Sequence, residues 1–305
     1  MKTSNKSKFP LYGISGLVIM GIGEILLALD VYFAAVWLTP IMWTGYILAA
    51  DAFLFRRKGS SWLTTRRREF PLVVLLSIGI WLLFEALNFH IQNWTYHGVP
   101  ENPIIRNFAY FWSFATIMPG VFITSEIIST LPPTRFLHHH PIKSDKILLG
   151  AGWLWFLCGL LMVVIPLLLP TPIASYLFGP IWIGFILLIE PINDHMGTPS
   201  IRRMLRGRTY WPILSLLAGG LVCGFLWEAW NLQAFHSGGG HWIYLVPEPL
   251  RIFGLHYGKM PLLGMLGFPP FAIELFAMYH FLRKILDGNR LLGNPADGEL
   301  FLVER

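Results

Sequence analysis

The chain alternates between long apolar runs and short polar segments. Eight of the runs come close to or exceed the roughly 20 residues that an α-helix needs to cross a bilayer's hydrocarbon. They are 11–29, 36–55, 70–92, 107–131, 147–169, 176–192, 210–235 and 262–282. No stretch shows the alternating in–out pattern of membrane β-strands, which excludes a membrane barrel. The pattern predicts an all-α integral membrane protein of about eight transmembrane helices.

The polar segments are sorted by charge. Of the 23 Lys and Arg residues, all but Arg106, Arg251 and Lys259 fall on one side of such a bundle. The positive-inside rule then puts both termini and the basic loops in the cytoplasm and the protein in an inner or plasma membrane. Composition agrees: 54% of the 305 residues are hydrophobic and 13% are charged, against about 25% charged in a soluble domain. The net charge of +6 is therefore an orientation signal with scope for anionic-lipid contact, and nucleic acid is not needed to explain it. The first run follows Lys2, Lys6 and Lys8 like a signal peptide, but its length and Glu24 favour a retained span. Cys158 and Cys223 lie inside apolar runs and give neither a disulfide framework nor metal spacing.

The chain also repeats itself. Phe84-Glu85-Ala86-Leu87-Asn88 reappears as Trp227-Glu228-Ala229-Trp230-Asn231. Downstream, Trp94-Thr95-Tyr96 and Val99-Pro100-Glu101 return as Trp242-Ile243-Tyr244 and Val246-Pro247-Glu248. Upstream, Trp43-Thr44-Gly45-Tyr46 matches Trp182-Ile183-Gly184-Phe185, and Asp51 matches Glu190. The order of motifs predicts two tandem four-helix repeats, residues 1–140 and 141–305, forming one membrane domain. An even number of spans per repeat gives both halves the same orientation and a pseudo-twofold along the membrane normal. The match of the first span to the fifth is weak.

An ionisable residue inside a span costs about 2.5–3.5 kcal/mol on insertion scales and points to function. Glu24, Glu85, Glu126, Glu228 and Glu274 qualify, with Asp51 and Glu190 near the cytoplasmic ends. In Glu-Ala-x-Asn the acid and amide stand at i and i+3, neighbours on one helix face, so Asn88 and Asn231 are placed to orient Glu85 and Glu228. Apolar surroundings favour the neutral form of such an acid, which can then donate a proton. Candidate catalytic residues are these four. Candidate substrate-binding residues are Trp81, Trp94, Tyr96, Trp227, Trp230, Trp242 and Tyr244, with Glu126 and Glu274. The plainer alternative is that a protonated Glu bonded across helices holds them together.

The segment 234–260 is long enough for a lid, although its Trp and Tyr also suit an interfacial aromatic belt. His90, His97, His236, His241 and His256 have irregular spacing, so neither a metal nor haem is predicted, and no cofactor is implied. His138-His139-His140 reads as a solvated loop, and Glu190-Pro-Ile-Asn-Asp-His195 as a cytoplasmic cap to span six. No nucleotide-binding or common hydrolase motif is present.

The sequence of motifs resembles the lycopene cyclase domain and the membrane carotenoid hydratases. Trp227-Glu228-Ala229, Trp242 and Gly267-Phe268-Pro269 run in the order found there, and Phe84-Glu85-Ala86 with Trp94 begins it in the other half. The family's paired acids after Leu-Pro are absent, and its repeat has three spans, not four. The resemblance implies carotenoid biosynthesis: a membrane enzyme acting on a long isoprenoid, in which a carboxylic acid protonates an alkene and the cation closes a ring or meets water. Its partners would be membrane lipid and a hydrophobic small molecule, with a homo-oligomer left open. Two further readings use the same residues: a proton- or ion-coupled transporter, and a non-catalytic subunit of a membrane complex.

Overall fold

The computed structural model describes residues 8–131, 146–207 and 209–287. The chain runs through α1 (Leu11–Ala28), α2 (Tyr32–Val36), α3 (Leu38–Lys58) and α4 (Phe70–Ile91), the strand β1 (Trp94–His97), then α5 (Pro103–Ser129). It continues through α6 (Lys146–Leu168), α7 (Thr171–Ala174), α8 (Phe178–His195), α9 (Ile201–Arg206) and α10 (Tyr210–His236). The strands β2 (His241–Tyr244), β3 (His256–Tyr257) and β4 (Met260–Pro261) precede α11 (Leu262–Met265) and α12 (Phe268–Asp287).

Among the described residues, seven helices are long and apolar enough to cross a membrane. The protein is a multi-pass, helical membrane protein. A further apolar helix, Gly152–Leu168, belongs to α6. The boundary expected at 140/141, the His138–His140 run and both chain ends lie outside the described residues.

Helix limits follow local chemistry. The second apolar run breaks at Trp37, whose ψ of 12° leaves the helical region; Pro40, with no amide hydrogen to give, sits in the first turn of α3, where none is needed. Asn102 starts α5 by accepting the amides of Ile104 and Ile105. Span six reaches further than its apolar run: the polar segment expected as a cap is the helical end of α8. There Asp194 is paired with Arg206 and Arg202.

Packing runs α1–α3–α5–α4 on one side and α6–α8–α12–α10 on the other, with α5 against α10 joining them. Close approach depends on glycine. A Cβ on Gly16 would fall 2.5 Å from the Gly45 carbonyl between α1 and α3, and one on Gly159 would fall 2.6 Å from the Gly184 carbonyl between α6 and α8.

One end of the bundle is basic and ion-paired. Glu126 is fully buried and held by Arg66 at 2.7 Å and Lys58 at 3.4 Å. Asp51 accepts the amides of Trp62 and Leu63 at 2.9 and 3.3 Å, and Glu190 accepts that of Arg202 at 3.0 Å. These acids cap the turns that follow their helices. The opposite end carries a two-stranded antiparallel ribbon, β1 on β2, pairing Trp94 with Tyr244, Tyr96 with Trp242 and His97 with His241.

Candidate functional site: an aromatic cavity between two glutamates

The ribbon exists because each preceding helix ends by gripping it. α4 stops at Gln92, in the left-handed conformation (φ 57°). Asn88 then binds Trp94 through both backbone groups: its amide donates to the Trp94 carbonyl at 2.9 Å, and its oxygen accepts the Trp94 amide at 3.2 Å. Asn231 repeats the grip on Trp242, at 3.1 and 2.9 Å. The Asn of the repeated motif is thus a strand clamp. Asn231 also donates to Glu228 at 3.2 Å, the orienting bond expected of both; Asn88 instead spends its amide on the strand.

Strand alternation puts Trp94 and Tyr96 on one face of β1, and Trp242 and Tyr244 on the corresponding face of β2. Those faces meet the glutamates. Glu85 Oε1 accepts from Tyr96 OH at 2.5 Å, Trp81 Nε1 at 2.8 Å and Trp94 Nε1 at 3.1 Å. Glu228 Oε2 accepts from Tyr244 OH at 3.1 Å, and Trp242 Nε1 donates to the Tyr244 oxygen. Burial pushes both phenols well above the usual tyrosine value, and the neighbouring carboxylates push them further.

The two acids differ in their other partners. Glu228 is fully buried, whereas Glu85 is half-buried. The β3–β4 turn closes over Glu228, whose Oε1 takes the Lys259 amide at 2.6 Å, and the Met260 amide donates as well. Gly258 (φ 58°) permits this approach; a Cβ there would stand 2.8 Å from Glu228 Oε1. Glu85 is held by side-chain donors converging on one oxygen.

Between the acids lies a cavity of about 660 Å³. Six tryptophans contribute to its wall: Trp43, Trp81, Trp94, Trp182, Trp227 and Trp242. Tyr96 and Tyr244 line it too, so the donors to both glutamates are also its surface. The rings are in mutual contact; Trp81 lies 5.7 Å from Trp227, and Trp227 lies 5.7 Å from Trp242. Cavities of this size suit a small organic molecule, and apolar walls with few polar groups are the usual form of such sites.

Most of the residues singled out by sequence converge here: Glu85, Glu228, Trp81, Trp94, Tyr96, Trp227, Trp242 and Tyr244. Trp230 instead packs behind the wall, 5.1 Å from Trp43. Glu126 belongs to the basic end. Glu274, on α12, is fully buried and neither carboxyl oxygen has a hydrogen-bond partner among the described residues. Glu24 pairs with Gln233 between α1 and α10.

Sequence reasoning missed Trp43 and Trp182 as wall residues, although their places in the repeated Trp-x-Gly motif marked them. It also missed the backbone amides of the β3–β4 turn, which no side-chain pattern announces. Among the described histidines, His90 binds the Leu169 carbonyl, and His97 stacks on His241 across the ribbon. Among the described residues, no three His, Cys, Asp or Glu side chains come together as a metal site.

No protein-family model matches the chain, and no curated protein or solved structure is significantly similar to it.

Proposed function

We propose that this protein is a membrane-embedded enzyme that binds a neutral, largely apolar molecule in the aromatic cavity and acts on it by proton transfer through the Glu85–Tyr96 and Glu228–Tyr244 pairs. The observation that carries this reading is that both phenols form part of the cavity surface while each donates to a glutamate behind it.

A phenol backed by a carboxyl group relays a proton without a free ion in an apolar space. With Glu85 protonated, the Tyr96 proton passes to an alkene carbon of the substrate as the Glu85 proton passes to the Tyr96 oxygen. The alkene π pair becomes the new C–H bond, and a cation is left at the adjacent carbon. The faces of the surrounding tryptophans stabilise that cation. It is discharged by loss of a neighbouring proton, or by capture of water followed by loss of a proton, the proton returning through Tyr96 to the Glu85 carboxylate. A second double bond that attacks the cation closes a ring and moves the charge to a new carbon, which is discharged in the same ways. The isoprenoid class of substrate and the cyclisation or hydration outcome come from the family resemblance in the sequence.

The same reading takes the fold as eight spans in two tandem repeats about an axis along the membrane normal, with the basic end and both termini in the cytoplasm. Three features support it. The clamps of Asn88 on Trp94 and Asn231 on Trp242 use the same atoms. The ribbon register pairs Trp94 with Tyr244 and Tyr96 with Trp242, which exchange under a twofold through Thr95 and Ile243. Gly16–Gly45 and Gly159–Gly184 are similar close contacts, which favours matching the first span to the fifth, where sequence similarity is weak.

The test is product analysis in lipid, with isoprenoid extract as substrate, for the wild type and for Glu85→Gln and Glu228→Gln. The reading expects both variants to fold and to lose turnover; full activity in both removes it.

A second reading, proton-coupled transport of the same class of ligand, draws on Glu274, a buried acid without a partner among the described residues. It expects uptake driven by a proton gradient in proteoliposomes and abolished by Glu274→Gln.

A further inference from the structure

The charge of the cavity wall selects its ligand. Among the described residues, none that lines the cavity is Lys, Arg, Asp or Glu, and the only ionisable lining residue besides tyrosine is His241, whose Nδ1 is engaged with the Gly239 carbonyl at 2.8 Å. Behind the wall stand two acids, Glu85 and Glu228. The nearby cation Lys259 is turned away, its Nζ lying 3.6 Å over the Phe235 ring.

The tryptophans add to this bias. An indole has a positive edge and a negative face. Trp81 and Trp94 both spend their N–H edges on Glu85, and Trp242 spends its own on Tyr244. Those three edges are thereby committed to hydrogen bonds within the wall, whereas the indole N–H groups of Trp43 and Trp182 are buried without a partner among the described residues. A cation in the cavity draws the proton off Glu85, as the reaction itself does, and donation to the resulting carboxylate increases the electron density of the ring, which strengthens its face as a partner for positive charge. Water-poor aromatic cages of this kind favour quaternary ammonium groups, because cation–π attraction is strongest when desolvated. An anionic group would meet two acids behind the wall and no Lys or Arg in it among the described residues, with Arg106 acting on the lining Tyr110 from outside, a costly arrangement for a buried charge.

We infer that the cavity, besides the neutral substrate proposed above, binds a lipophilic organic cation, an amine or quaternary ammonium with an apolar body, and that it rejects anionic molecules such as fatty acids and phosphate esters. The inference rests on the cavity being the ligand site, as proposed above, and adds the sign of charge that it prefers. A bound ammonium stands where the cation of the proposed reaction would form.

The experiment compares three probes of one shape: 3-phenylpropyl-trimethylammonium, its neutral isostere with carbon in place of nitrogen, and 3-phenylpropanesulfonate. Each is titrated into the full-length protein in maltoside micelles, free of choline lipids, which would compete. Binding is read by quenching of tryptophan fluorescence and by calorimetry. The expected result is that the ammonium binds about tenfold or more tighter than the isostere, that the sulfonate does not bind, and that the preference collapses in Glu85→Gln and in Tyr96→Phe. Equal binding of ammonium and isostere overturns the charge preference while leaving the neutral-ligand site intact. Binding of none of the three overturns both the inference and the site. A preference that persists in both variants also overturns it, because the cation is then held elsewhere.

Discussion

Tyr96 donates a 2.5 Å hydrogen bond to Glu85 from a different element, the phenol standing on β1 and the acid on α4. The contact ties the ribbon to the membrane helix and puts a carboxyl group one atom behind the cavity wall. If Tyr96 is the group that meets the substrate, Tyr96→Phe lowers kcat by about 10²-fold or more, the usual contribution of a positioned acid or base. Substrate affinity changes little, because the ring remains. Steady-state kinetics in lipid separates the two.

The asparagine clamps make a prediction about stability alone. Asn231→Ala strips partners from the buried Trp242 amide and carbonyl and from Glu228, and each unsatisfied buried group costs about 1–3 kcal/mol. Asn88→Ala strips the Trp94 amide and carbonyl and the Asn93 amide, but from a half-buried position and without leaving a buried carboxyl group short of a partner, so it costs less. Thermal unfolding in micelles should show a larger fall in Tm for Asn231→Ala.

Gly258 is predicted to be intolerant of substitution. Gly258→Ala must adopt a positive φ and place a Cβ 2.8 Å from Glu228 Oε1. The turn then lifts and the Lys259 amide leaves the carboxylate. Hydrogen exchange at Lys259 and Met260 should rise in this variant while the α4 amides remain protected.

The tyrosines predict an alkaline limit. Burial and the adjacent carboxylates raise the folded-state values of Tyr96 and Tyr244 above those of the unfolded chain. Their contribution to stability is complete below the unfolded tyrosine value of about 10 and is lost as pH rises from there through the folded values. Tm should therefore fall steeply above pH 10, and less steeply in the Tyr96→Phe, Tyr244→Phe double variant. An unchanged slope in that variant contradicts the assignment.

Much of this was legible in the sequence for identifiable reasons. Apolar run length marks spans because the bilayer fixes it, and only short breaks such as that at Trp37 displaced the expected ends. Glu85 and Glu228 were visible as acids in apolar runs carried by a repeated motif. The repeat also marked Trp94, Tyr96, Trp242 and Tyr244, but not that the four form a ribbon, since four-residue strands in a connection leave no periodicity to read. Asn88 was assigned to Glu85 by helix spacing; the backbone of Trp94 won the competition for its amide. Glu126 also reads as an acid in an apolar run, without the Glu-Ala-x-Asn motif of Glu228, and its neighbours Arg66 and Lys58 make it an ion pair. The inequality of the two glutamates comes from the β3–β4 turn, which lies between β2 and α12 and has no match in the short connection from β1 to α5.

The most direct test is isotopic. Wild-type protein and Glu85→Gln are reconstituted in lipid, supplied with apolar isoprenoid extract in deuterated water, and the products examined by mass spectrometry for carbon-bound deuterium. Delivery of a proton from Glu85 through Tyr96 predicts one non-exchangeable deuterium per product in the wild type and none above background in Glu85→Gln. Undiminished incorporation in the variant, or none in the wild type, contradicts it.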